Sequence, residues 1–75
     1  MKGLQYLHNR SDLLRQLYGL HIVINLNEVG EYIFSVEYVS APNQSIGSTQ
    51  TFEDYHSCFN EAVGFCLNEL NDRKK

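Results

Sequence analysis

Between Gln16 and Asp72 the 75-residue chain carries no lysine and no arginine. Phosphate contacts depend on those two side chains, so most of the surface is closed to nucleic acid. The basic residues stand at the two ends, Lys2, Arg10 and Arg15 first and Arg73, Lys74 and Lys75 last. Tryptophan is absent and proline occurs once, which excludes collagen-like and low-complexity chains. No uncharged apolar run approaches the roughly 18 residues of a membrane span. Hydrophobic residues make up 43% of the chain, too many for a disordered segment. A chain this short forms one domain and hides only about 60% of the surface its unfolded form exposes. The core is therefore small, and oligomerisation is a ready source of further stability.

Cysteine is scarce as well. Cys58 and Cys66 stand eight residues apart in what reads as one helix. At 1.5 Å rise per residue their Cα atoms would lie about 12 Å apart, beyond the 7 Å reach of a disulfide. Buried thiols of this kind fit a reducing, cytoplasmic setting, and the opening MKGLQYLHNR has no apolar core of a signal peptide.

What is present gives a clear pattern. Leu4, Leu7, Leu14, Leu17 and Tyr18 recur at helical spacing, so a helix is predicted from about residue 2 to 18. It is either continuous or restarted at Ser11, with Gly19 ending it. His21 to Asn27 alternates, with Ile22, Ile24 and Leu26 on one side, and Glu28-Val29-Gly30-Glu31 makes a turn. A second strand runs over about 32–39, with Tyr32, Phe34, Val36 and Tyr38 sharing a face. Ala41-Pro42-Asn43-Gln44 reads as a turn, and about 45–52 as a polar third strand at the sheet edge. Asp54 caps a last helix over about 55–71, whose apolar stripe holds Cys58, Phe59, Ala62, Val63, Cys66, Leu67 and Leu70. Gly64 inside it marks either a close approach of another backbone or a tolerated surface glycine.

The expected fold is a single α+β domain over residues 1–75, in the order α-β-β-β-α. An antiparallel meander of three strands, or at least two, has both helices packed on one face. The periodicity alone leaves open which sheet face is buried. The aromatic set is the better core candidate, which would leave Val23, Ile33 and Val39 around Glu37 on the open face.

With that order of elements, the chain resembles the double-stranded-RNA-binding domain. The likeness lies in Ile46-Gly47-Ser48 leading through a strand into a helix with Cys58, Ala62 and Leu67 on its inner side. The resemblance implies RNA contacts from the first helix, the loop between the first two strands and a lysine cluster opening the last helix. Here that loop holds Glu28 and Glu31, and the cluster is replaced by Glu53-Asp54-Tyr55-His56-Ser57. The resemblance therefore implies the fold, and the RNA activity is not expected to carry over at these two regions. Phe52-Glu53-Asp54-Tyr55 and Ala62 are also similar to uncharacterised small bacterial and mobile-element proteins, a likeness that implies no activity.

The chemistry of a catalytic site is not assembled. His56 and Cys58 lie two apart on a helix and point about 200° from each other, so no local Cys–His pair forms. His8, His21 and His56 are scattered, and with two cysteines they give no zinc-ligand spacing. Gly47 stands alone, without a phosphate loop. No enzyme, metal, cofactor or small-molecule substrate is expected. The expected role is a non-enzymatic protein–protein interaction domain, with self-association as a homodimer one form of it. One alternative is an acidic inhibitor or adaptor that docks on a basic, nucleic-acid-binding partner through Glu28, Glu31, Glu37, Glu53 and Asp54. A second alternative is weak RNA binding through the first helix. The apolar candidates for contact are Ile33 and Val39 on the sheet, and Val63 and Phe65 on the last helix.

Overall fold

The computed structural model of the chain describes residues 3–47 and 50–73. Helix α1 (Leu4–Tyr18) is continuous through Ser11 and buries Leu7 and Leu14, two turns apart on one side. Its end is set by backbone geometry. Gly19 adopts a left-handed φ of 69°, and its N–H donates to the Arg15 carbonyl at 3.1 Å. Strand β1 (Leu20–Leu26) follows at once, because the Gly19 carbonyl accepts from the Val39 N–H at 2.9 Å and so joins the sheet.

Strand β2 (Tyr32–Tyr38) pairs antiparallel with β1, from Leu20 opposite Tyr38 to Leu26 opposite Tyr32. Asn27 builds the turn between them. Its side-chain oxygen accepts from the Val29 and Glu31 N–H groups at 3.1 and 2.9 Å, while Gly30 takes a φ of 85°.

The third strand corrects the expectation. Strand β3 (Ala41–Gly47) begins at Ala41, so Ala41 to Gln44 are strand and not turn. The reversal needs only Val39 and Ser40, and proline is accommodated in β3 because it is an edge strand. The register shifts between Glu37 and Tyr38. Ser48 and Thr49, placed in the strand by sequence, lie outside the described residues. Phe52 rejoins through an isolated bridge to Tyr32, with reciprocal hydrogen bonds of 2.8 and 2.9 Å.

Helix α2 (Tyr55–Arg73) opens on Asp54, whose Oδ1 accepts from the Ser57 N–H at 2.7 Å and whose Oδ2 accepts from the Ser57 hydroxyl at 3.0 Å. The sheet order is β1-β2-β3, and the elements follow α-β-β-β-α. The aromatic face is the buried one. Leu20, Ile22, Phe34 and Val36 pack beneath Cys58, Phe59, Ala62, Val63 and Cys66 of α2, with Leu7 and Leu14 closing the side.

Candidate interaction surfaces

The residues chosen from sequence separate into an acidic end, an open sheet face and the core. The bridge between Tyr32 and Phe52 sets Glu31 beside Glu53, near the turn that carries Glu28 and the cap that carries Asp54. The Thr51 hydroxyl donates to Glu31 Oε2 at 3.2 Å across this junction. The bonds from Ser57 hold the Asp54 carboxyl below the usual carboxylate range. Glu37 stands apart, toward the opposite end of β2, across from His21 and Ser45. Four of the five carboxylates therefore share one end of the molecule.

On the open face Ile33 is half-buried and Val39 exposed. Val63 is 3% exposed and belongs to the core, so it offers nothing to a partner. Phe65 is half-buried, with its ring 5.8 Å from that of Phe34. The width of the apolar stripe on α2 reflects a helix packed against the sheet on one side and α1 on the other.

Two concave surfaces, each of mixed apolar and polar lining, were not legible residue by residue. A groove of about 420 Å³ runs between the C-terminal halves of the helices, lined by Leu13, Leu14, Leu17, Tyr18, Leu67 and Leu70 together with the polar Arg10, Asn68 and Asn71. Its signal in the sequence is the pair Leu13-Leu14, one leucine more than a single buried seam uses. A cleft of about 390 Å³ lies under β3, where Phe34, Ile46, Phe52 and Phe65 meet Gly64. Gly64 has no neighbour within 4 Å of where a Cβ would stand, so no backbone approaches it closely.

The cations of α1 are engaged locally. Arg10 lies 5.5 Å over the Tyr6 ring with its Nε donating to the Tyr6 hydroxyl, and Arg15 pairs with Asp12 at 3.7 Å. Five residues apart on a helix, they point about 140° from each other and do not form one patch. Burial pushes the Cys58 and Cys66 thiols up to about 11, with Asp54 and Glu69 adding a smaller push in the same direction. Among the described residues, no group of three His, Cys, Asp or Glu could hold a metal ion, and no helix is long and apolar enough to cross a membrane. No protein-family model matches the chain, and no curated protein or solved structure matches it.

Proposed function

We propose that the chain is a non-enzymatic protein–protein interaction domain that works as a self-associated unit. The observation that supports this reading most directly is the groove between the helices. Leu13, Leu17 and Leu67 come from two elements and remain exposed side by side, Leu17 to 67%. An apolar patch assembled from separate elements is the ordinary mark of a contact surface. The order α-β-β-β-α is that of the double-stranded-RNA-binding domain, taken here as a scaffold. The face that could stack bases is the one packed against α2, and the helix cations are spread apart.

The clustering of Glu28, Glu31, Glu53 and Asp54 at one end favours a second reading, an acidic tip that docks on a basic partner. One experiment separates the two. Affinity capture by the wild-type chain is compared with Leu17→Glu and with Glu31→Gln/Glu53→Gln, over a salt gradient. The groove reading expects a partner lost with Leu17→Glu and retained at high salt. The acidic-tip reading expects loss with the double glutamine variant and elution at moderate salt. A partner indifferent to both variants would overturn both assignments of surface.

A further inference from the structure

Among the described residues neither helix packs on the third strand: α1 lies against β1, and α2 against β1 and β2. The helix-side face of β3 is therefore left uncovered beside α2, and the cleft of about 390 Å³ lies there. We propose that this cleft binds a small organic ammonium cation, its alkylated head set against the rings of Phe34, Phe52 and Phe65 and its charge beside Glu61. The proposal goes beyond self-association and uses a different surface from the groove between the helices.

The walls supply the apolar part. The Phe34 ring centroid lies 6.2 Å from that of Phe52 and 5.8 Å from that of Phe65, so rings from β2, the segment after β3 and α2 converge. Phe34 is buried, whereas Phe52 and Phe65 are half-buried and keep part of their surface for the cleft. Glu61, Gly64, Phe65 and Asn68 stand at i, i+3, i+4 and i+7 on α2, so the face of that helix along the cleft carries all four. Gly64 makes the room. A glycine here weakens the helix, yet nothing lies within 4 Å of where its Cβ would stand.

Charge selects the occupant. Glu61 is the one formally charged residue of the lining, accompanied by the amides of Gln50 and Asn68. No lysine or arginine occurs between Gln16 and Asp72, and Arg10 and Arg15 of α1 are engaged by Tyr6 and Asp12. Glu61 makes no ion pair among the described residues. A cation over the ring faces and beside this carboxylate is attracted by both. An anion would meet the negative ring faces and Glu61 together, and a neutral guest would leave the carboxylate unused. The volume falls in the lower part of the range of about 300–1,000 Å³ for small-molecule sites, and the exposed Glu61 keeps the charged side wet, so the ligand binds weakly and reversibly.

The test uses the full chain, with choline as the cationic probe. Its control is the neutral alcohol that has carbon in place of the choline nitrogen. Amide NMR titrations are expected to show saturable shifts for choline around Gly47, Glu61, Gly64 and Phe65, at roughly tenfold higher affinity than the alcohol. Added salt is expected to weaken choline and leave the alcohol unchanged. Glu61→Gln, at an exposed position that leaves the core untouched, is expected to lower choline affinity about threefold and the alcohol's not at all. Gly64→Leu fills the cleft from a position with no steric neighbour and is expected to abolish the shifts from both probes. Equal affinity for the two probes, or indifference of choline to Glu61→Gln, would overturn the cation assignment. Shifts that fall elsewhere on the chain, or that persist in a folded Gly64→Leu, would overturn the site. No saturable shift with either probe would overturn both, and the self-association reading would stand or fall separately on the mass in solution.

Discussion

Gly19 ends one helix and Gly64 lies within the other, and a methyl group has opposite consequences at the two positions. Gly19 holds a φ of 69°, where an L side chain is strained, although an added Cβ would meet only Val39 at an ordinary 3.7 Å. The cost is thus purely conformational, and Gly19→Ala is expected to destabilise by about 1 kcal/mol. Gly64 has helical geometry and open space around it, so Gly64→Ala is expected to stabilise by roughly 0.5–1 kcal/mol. Urea midpoints for the two variants, moving in opposite directions, check both signs. The cysteines give a second prediction at this scale. With thiols near 11 when folded and near 8.5 when unfolded, Cys58 and Cys66 stay unlabelled by a thiol reagent at pH 8 until the chain unfolds. The unfolded chain gives up those protons first as pH rises. The stability tied to the neutral thiols is therefore complete below about pH 8.5 and falls through pH 11. Labelling of the native protein at a rate near that of the denatured chain would contradict the burial.

At the scale of elements, the Asp54 cap makes α2 sensitive to acid. Its carboxyl is held low by the Ser57 N–H and hydroxyl, so the stability it contributes is present above the unfolded value near 4 and is lost as pH falls through the folded one. Asp54→Ala is expected to lower Tm by a few degrees at pH 7 and by less as the pH is taken down into the acid range, a contrast that thermal melts across that range would show. The cap, the Gly19 stop and the Gly30 turn were legible because each rests on one residue type with one local job. The alternation in β1 and β2 was legible because one sheet face is covered and the other open. Strand β3 was not, since Pro42 speaks for a turn locally while its place at a sheet edge makes the proline tolerable. That conflict is resolved only by where the strand lies. Val63 was misjudged for a similar reason. It widens the stripe on α2, and the sequence does not show that α1 and the sheet between them consume that width.

At the scale of the whole molecule, the same limit explains why the contact surfaces were the least legible feature. The groove joins residues some fifty positions apart, such as Leu17 and Leu67, and it exists only once the two helices are set side by side. If the chain pairs with a second copy, folding and association are linked, and stability must depend on protein concentration. Each tenfold rise contributes about 0.7 kcal/mol per chain once the dimer predominates, equivalent to roughly 3–5 °C in Tm for a domain of this size. Calorimetric scans from micromolar to millimolar protein are expected to show that climb for the wild type. The climb should begin only at higher concentration for Leu17→Glu, which sets a charge in the groove. A Tm that is flat across the range would mean that the buried cluster of the monomer holds the fold unaided.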